Sequence, residues 1–335
     1  MNDRAIARVA LVGLGPIGIE VARAVLNRPG VEILGAADPA PDKAGRPLGE
    51  LLGGGAATPV APSARALYSL TAPGRGKRDV VLLCTGSRLE SVAPQIEEAV
   101  EAGFHVVSTC EELSYPGLRH ADLARRIDEK ARRHGVAVLG TGVNPGLVMD
   151  RLALSAASAC VTVEKVKVTR VVDAAKRRGP LRAKVGAGLS KEEFEAGVAA
   201  RKLGHVGLTE SAAMIAAGIG FPMEEISETI EPVLAAKETD GVAPGRVLGL
   251  HQVARVRAAG DTKVELDLTM AVGETAFDRI EIQGDPPVNL TVEGGFHGDR
   301  ATVGCVVNAI PFIVQAPPGV QTVVTLPLFG LLPQQ

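Results

Sequence analysis

The chain has 335 residues, a formal net charge of −2 and 46% apolar residues, enough for two domains with sizeable cores. The near-neutral charge favours neither nucleic acid nor a membrane surface, and no apolar run approaches the ~20 residues that span a bilayer. Met1-Asn-Asp-Arg4 runs straight into an apolar segment and reads as no signal peptide, and the scattered Cys84, Cys110, Cys160 and Cys305 read as free thiols of a reducing cytoplasm.

The first element is a short strand, Arg8 to Val12, running into Gly13, Gly15 and Gly18. The spacing is G-x-G-x-x-G, and the residues from Pro16 and Ile17 to about Asn27 carry a helical apolar stripe. Gly13 permits a tight turn, Gly15 lets the backbone approach a pyrophosphate, and Gly18 lets the helix pack close to the strand. The anion would sit at the helix N-terminus, where unpaired N–H groups and the dipole favour it. A second apolar strand, Val31 to Ala37, ends at Asp38, about 20 residues past Gly18, where a carboxylate can accept ribose hydroxyls. The alternative is a glycine turn that binds no nucleotide. Asp38 would repel a 2′-phosphate, so NAD is expected over NADP, although Lys43 or Arg46 could hold a phosphate.

Residues 39 to 64 read as loop with a short helix near Gly49 to Leu52, and Ala66 to Leu70 as a short third strand. Asp79 to Leu83 is a buried strand ending in Cys84, Thr85 and Gly86, a small-residue turn at the carboxyl edge of the sheet. Ala93 to Ala102 reads as a helix with Pro94 in its first turn. His105 to Thr109 is a strand with Glu111 and Glu112 directly after it. Leu118 to His134 is a charged amphipathic helix, and Val136 to Gly140 the next strand. This alternation predicts an α/β dinucleotide-binding domain of Rossmann type over 1–146.

After Gly146 the pattern changes. Leu147 to Ala159 reads as a helix, Val161 to Asp173 alternates with period two, and Ser190 caps a helix to about Leu203 with Glu193 as capping-box partner. Thr209 to Ala217 is helical. Five β-type runs follow, from Ile226 to Ala236, Val247 to Ala258, Lys263 to Val272, Ala276 to Gln283 and Val288 to Glu293. They predict a second, α+β domain with a mixed or antiparallel sheet over 147–298. Its exposed face is expected to pair in a homodimer. Asp299 to Val314 reads as a helix and Gln321 to Leu326 as a final strand, a segment (299–335) expected to pack on the first domain.

The residues that can do chemistry lie at strand ends. Neighbouring carboxylates in a closing cleft shuttle protons, which makes Glu111 and Glu112 catalytic candidates; an acidic start to the following helix explains the pair equally well. On an extended chain the two point to opposite sides. Glu111, nearer the strand end, is the choice, with Glu112 facing solvent. Gly140-Thr-Gly-Val-Asn-Pro-Gly146 makes a sharp exit from a strand, and Asn144 could hold cofactor or substrate. His205 sits between glycines before Thr209, where it is a pocket residue or an inert loop histidine. Thr169 on the alternating run is a candidate substrate contact, and Asn308 is a candidate cofactor contact or, the simpler reading, a packing residue. Arg182 and Lys184 lie in a glycine-rich stretch that could be a mobile loop. The histidines lack metal-ligand spacing, so no metal is expected.

Four segments in order, Val107-Ser-Thr-Cys-Glu-Glu-Leu-Ser-Tyr-Pro116, Gly142-Val-Asn-Pro-Gly146, Gly204-His-Val-Gly-Leu-Thr-Glu-Ser211 and Asn308-Ala-Ile-Pro311, resemble the 2,4-diaminopentanoate dehydrogenase family and its relatives the native amine dehydrogenases. These are built like dihydrodipicolinate reductase, and the likeness spans almost the whole chain. The resemblance implies NAD- or NADP-dependent interconversion of a primary amine with a ketone or aldehyde and ammonia, a catalytic glutamate at Glu111-Glu112, and a substrate-pocket role for His205; for a diamino acid such as 2,4-diaminopentanoate, Arg170 and Lys176 are candidate carboxylate partners. The alternatives are a cyclic-imine reductase, whose paired-histidine segment is not found here, and a non-catalytic NAD-binding protein.

Overall fold

The computed structural model describes residues 7–26, 28–54, 57–71, 78–175, 184–326 and 330. Two compact units are present, Met1–Leu147 with Gly298–Gln335, and Val148–His297. No helix among the described residues is long and apolar enough to cross a membrane.

The first unit is built on six parallel strands, β1 (Ala7–Val12), β2 (Val31–Ala37), β3 (Asp79–Leu83), β4 (His105–Ser108), β5 (Ala137–Gly140) and β12 (Gly319–Gln321). Their spatial order is β12-β5-β4-β3-β1-β2. The central strands are continuous apolar runs because both faces are covered; every residue of β3, β4 and β5 is buried. Each such Val or Leu contributes ~1.5–3 kcal/mol. Arg8 and Asp79 pair across β1 and β3 through two hydrogen bonds of 2.8 and 2.6 Å, which pins that register. The chain leaves β1 for β2 on one side and returns to β3 on the other, so the switch point, where open α/β sheets bind ligands, lies beyond the carboxyl ends of β1 and β3.

Three local expectations fail in this unit. Ala66 to Leu70 belongs to a helix, α3 (Ala64–Leu70), after α1 (Pro16–Leu26) and α2 (Leu48–Leu52). The Ser63 hydroxyl caps it by accepting from the Ala66 N–H at 3.1 Å, and Leu67 and Tyr68 turn inward. The following helix, α4 (Leu89–Glu101), starts well before Ala93, so Pro94 lies inside it rather than in its first turn. The early start follows from a long-range cap: the Leu89 N–H donates to the Glu112 carboxylate at 2.7 Å. At the far end of the chain the strand is Gly319–Gln321. Thr322 then breaks it, its hydroxyl accepting from Val324 and Thr325 N–H groups.

The second unit carries a six-stranded sheet in the order β11-β10-β6-β9-β8-β7. Its strands are β6 (Thr162–Asp173), β7 (Glu225–Leu234), β8 (Val247–Ala258), β9 (Asp261–Ala271), β10 (Phe277–Asp285) and β11 (Val288–Glu293). All pairings are antiparallel except β6 with β9, so the sheet is mixed. Helices α6 (Arg151–Ala157), α7 (Lys191–Ala199) and α8 (Leu208–Ile219) accompany it, α5 being Ala121–His134 in the first unit. The α7 cap is the expected capping box between Ser190 and Glu193. Alternation sends Val166, Val168, Val264, Leu266, Ala254 and Val256 inward. The opposite face bears ion pairs: Glu265 holds Lys167 at 3.0 Å and Arg255 at 2.9 Å, and His251 lies 3.0 Å from Asp267. The outward face is therefore polar; the apolar alternation serves the core beneath.

Candidate active site

The glycine turn meets the steric demands of a nucleotide-binding loop. Gly13 has φ +85°, and a Cβ there would lie 2.7 Å from the Cys84 carbonyl oxygen. A Cβ on Gly18 would fall on the Gly13 carbonyl oxygen, so α1 approaches β1 only because residue 18 lacks one. At Gly15 an added Cβ would meet nothing within 4 Å, which leaves the turn open on that side. The first-turn N–H groups of α1, those of Ile17 and Gly18 among them, have no intrahelical acceptor; Pro16 lacks an N–H and suits the first helical position. These residues fit a pyrophosphate.

Asp38, just past β2, is buried and tied to this turn. Its Oδ2 accepts from the Leu14 N–H at 2.7 Å and from Lys43 Nζ at 3.1 Å, and its Oδ1 from the Ala40 N–H at 2.9 Å. Burial pushes the carboxyl up, but the hydrogen bonds from Ala40, Leu14 and Lys43 outweigh it and hold the group below the usual carboxylate range. Asp38 thus braces the loop. Cys84, Thr85 and Gly86 follow β3; the Thr85 methyl would lie 2.7 Å from a Gly13 Cβ, so this turn walls the first. Burial raises the Cys84 thiol to about 12, offset in part by its hydrogen bond with Thr109, and Cys110 also to about 12, so neither supplies a thiolate.

Glu111 and Glu112 lie beyond the carboxyl end of β4, in a 3-10 turn (Glu111–Ser114) rather than an extended stretch. The tight turn changes their directions. Glu112 is buried, not solvent-facing, and both its oxygens are bonded: Oε1 accepts from Arg88 Nη1 at 2.8 Å, and Oε2 from the Leu89 N–H at 2.7 Å. His120 Nε2 lies 3.1 Å from the same oxygen. Burial alone would raise the carboxyl; the bonds from Arg88, Leu89 and His120 prevail and keep it below the usual range. A carboxylate held ionised against a helix N-terminus is a clamp, and a poor proton acceptor near neutral pH. Glu111 is only partly buried. The turn is also held from below, since a Cβ on Gly140 would lie 2.6 Å from the Ser114 nitrogen.

The crossover after β5 carries Asn144, buried, with a cis peptide bond to Pro145. The Val143 N–H donates to the Thr302 hydroxyl at 3.2 Å, which fastens the crossover to α9 (Gly298–Ile313), the helix bearing Asn308. The first unit thus gathers the glycine turn, Asp38, Cys84 to Gly86, Glu111 and Asn144 at the carboxyl ends of its strands.

In the second unit, His205 lies between Gly204 and Gly207, at φ +116° and +98°. Its backbone is gripped by the buried Gln252, whose Oε1 accepts from the His205 N–H at 2.8 Å and whose Nε2 donates to the His205 carbonyl at 2.9 Å. Gln252 also donates to Glu228 at 2.8 Å. Thr209, Glu210 and Ser211 are buried at the start of α8, with the Ser211 hydroxyl donating to Asp150 at 2.8 Å. The register puts Thr169 beside Asp267 and Arg279, on the face opposite Gln252, so Thr169 and the His205 loop are not brought together. Arg170 is not available to a substrate carboxylate. It is 3% exposed, bonded to both oxygens of Asp278 at 2.9 and 3.0 Å and to the Phe296 carbonyl at 2.9 Å. Lys176 and Arg182 lie outside the described residues, and Lys184 is exposed. Among the described residues no group of three or more His, Cys, Asp or Glu could hold a metal ion.

Sequence reasoning missed Arg88, His120, Gln252 and the bracing role of Asp38. Arg88, His120 and Gln252, and the Leu14 contact of Asp38, join positions eight or more residues apart and carry no local spacing signal.

A parallel sheet with this glycine turn at its switch point and carboxylates beyond β4 defines a nicotinamide-dependent dehydrogenase of Rossmann type. The family model described as 2,4-diaminopentanoate dehydrogenase C-terminal domain matches residues 147–333. The 2,4-diaminopentanoate dehydrogenase of Acetoanaerobium sticklandii is 33% identical over 96% of this chain and 93% of its own. The amine dehydrogenase from Mycobacterium smegmatis superposes with a TM-score of 0.83 at 25% identity, covering 98% of both chains. The dihydrodipicolinate reductase from Paenisporosarcina sp. TG-14 shares the fold at 0.50 and 17%, over 95% of this chain and 98% of its own. The chain belongs to the 2,4-diaminopentanoate dehydrogenase family, oxidoreductases that act on amines.

Proposed function

We propose that this chain interconverts a primary amine with a ketone or aldehyde plus ammonia, with Glu111 as the reacting carboxylate. The observation that carries this is the contrast in burial within the Glu111-Glu112 pair. Glu112 is spent on Arg88, Leu89 and His120, while Glu111, on the same turn beyond β4, is partly exposed. The residues assigned to the cofactor are Gly13, Gly15, Pro16, Ile17 and Gly18 for the pyrophosphate, Asp38 for the adenosine ribose, and Cys84, Thr85, Gly86, Asn144 and Asn308 along the strand ends. A bound nicotinamide supplies or accepts the hydride. Glu111 stabilises the cationic iminium carbon and moves protons as ammonia adds and water leaves; in the reverse direction it takes a proton from the water that attacks the imine. Asn144 orients cofactor or substrate. His205 lines the substrate pocket, its main chain set by Gln252. Thr169 is not carried into this proposal, because it faces away from Gln252.

The curated relative is named for 2,4-diaminopentanoate, a diamino acid. With Arg170 committed to Asp278, one cation that could receive such a carboxylate is removed, so carboxylate-free ketones belong in the test. Mixing ketones, ammonium and NADH and following the loss of NADH absorbance is that test. Turnover requiring ammonium supports the reading. Turnover of a preformed cyclic imine alone would indicate an imine reductase, and NADH binding with no turnover a non-catalytic protein. NAD is proposed as the preferred cofactor, the cytoplasm as the compartment, and a homodimer across the outward sheet face as the assembly. That face, six strands about 4.8 Å apart, offers roughly the ~800 Å² per partner of a standard interface. Its mixed charges can pair with their own copies. Light scattering at micromolar concentration checks the dimer, and a monomer would refute it.

A further inference from the structure

We infer that Lys43 is a swivelling anchor for the 2′-phosphate of NADP, held in reserve on Asp38. The inference rests on the reading of the Asp38 corner as the adenosine-ribose site.

A carboxylate offers about four acceptor positions. On Asp38 three are taken, two on Oδ2 by Leu14 N–H and Lys43 Nζ and one on Oδ1 by Ala40 N–H. One position is left for a ribose diol that would use two. The Leu14 and Ala40 donors are main chain and fixed, so Lys43 is the partner that can yield. Its own main chain is anchored: the Lys43 and Ala44 N–H groups donate to the Ala40 carbonyl at 2.9 Å, and the Gly45 N–H donates to Val60 at 2.8 Å. The side chain is 23% exposed, and its rotatable four-carbon stem gives the ammonium reach from that fixed base. A 2′-phosphate would bring a further ≈ −1.5 to −2 charges beside Asp38. An ammonium with three donors can bridge carboxylate and phosphate or move from one to the other.

The neighbouring charges leave Lys43 as the group for this role. Arg46 turns away, its Nη1 donating to the Asp42 carbonyl at 3.2 Å and its Nη2 to Glu50 at 3.3 Å. Asp42 and Glu50 are acidic, and of the two cations on this loop only Lys43 is bonded to Asp38. Asp38 in this arrangement does not exclude NADP; with Lys43 seated it presents a paired charge rather than a bare one.

The test is calorimetric binding of adenosine 2′,5′-bisphosphate, 5′-AMP, NADPH and NADH to the intact protein and to Lys43→Met, Lys43→Gln and Arg46→Met, each checked for an unchanged melting temperature. Both Lys43 variants should weaken the two 2′-phosphorylated ligands about tenfold or more, the worth of one charge-assisted hydrogen bond, and leave 5′-AMP and NADH within about threefold. Arg46→Met should leave all four within that range. Equal losses for phosphorylated and unphosphorylated ligands, or no loss in either Lys43 variant, would overturn the role of Lys43 while leaving the dehydrogenase reading intact. If the unaltered protein binds NADH but not the 2′-phosphorylated ligands, the anchor is likewise refuted. If it binds none of the four, the nucleotide reading of the corner fails with it.

Discussion

Replacing Glu112 by Gln removes a charge without changing shape, and the structure sets what that costs. The carboxylate accepts from three donors, Arg88 Nη1 at 2.8 Å, the Leu89 N–H at 2.7 Å and His120 Nε2 at 3.1 Å. An amide has one acceptor oxygen, so its NH₂ must face at least one of these donors. The Arg88 side chain is 44% exposed and can find water, so its share is small. The Leu89 N–H and His120 share Oε2, so the amide oxygen can keep both while the NH₂ turns to Arg88; what is lost is the charge-assisted part of those bonds, about 1 kcal/mol. With about 1 kcal/mol lost, the melting temperature should fall by ~2–4 °C for a unit of this size. The folded-state pKa of Glu112 is depressed, so its stabilisation is complete above the ordinary glutamate value of about 4.3 and fades as pH falls through the folded value. The gap between the two proteins should therefore be constant from pH 6 to 8 and close only in the acid range. Thermal denaturation across pH reads both effects. A Glu112→Gln protein that melts within 1 °C of the unaltered chain at pH 7 would refute the clamp.

Gly18→Ala should abolish NADH binding or the fold of the first unit, because its methyl would overlap the Gly13 carbonyl oxygen; calorimetry and melting separate the two, and unchanged binding would contradict the loop geometry. Arg170→Met leaves Asp278 buried without its cation and should cost ~3–5 kcal/mol. It should not alter the ratio of kcat/KM for carboxylated and carboxylate-free ketones, whereas a selective loss on the carboxylated ones would restore Arg170 to the substrate. Gln252→Leu should raise KM more than it changes NADH affinity, since it frees the His205 main chain; steady-state kinetics with calorimetry check this.

The glycine turn, the alternation of strands and helices, and the change of pattern after Gly146 were legible in the sequence because they are local or periodic. So was the Ser190 cap, whose partner is three residues away. What could not be read came from distance. The Leu89 start of α4 depends on Glu112, so the proline that marks a first turn elsewhere lies inside this helix. Arg170 looks like a substrate anchor until β10 brings Asp278 beside it. The inward turn of Glu112 needs the 3-10 conformation, which consecutive glutamates do not announce. The period-two runs of the second unit were plain, yet only the register showed that the opposite face carries Lys167, Arg255 and Glu265 in ion pairs, with His251 beside Asp267.

The central claim is that Glu111 does the chemistry while Glu112 holds the turn. Glu111→Gln, assayed for ammonium-dependent NADH oxidation with a turned-over ketone and for NADH affinity by calorimetry, tests it most directly. The account predicts a fall in kcat of at least the ~10²-fold typical of losing a positioned acid–base group, with NADH affinity within about threefold and a melting temperature near that of the unaltered chain. Full activity in Glu111→Gln would contradict it.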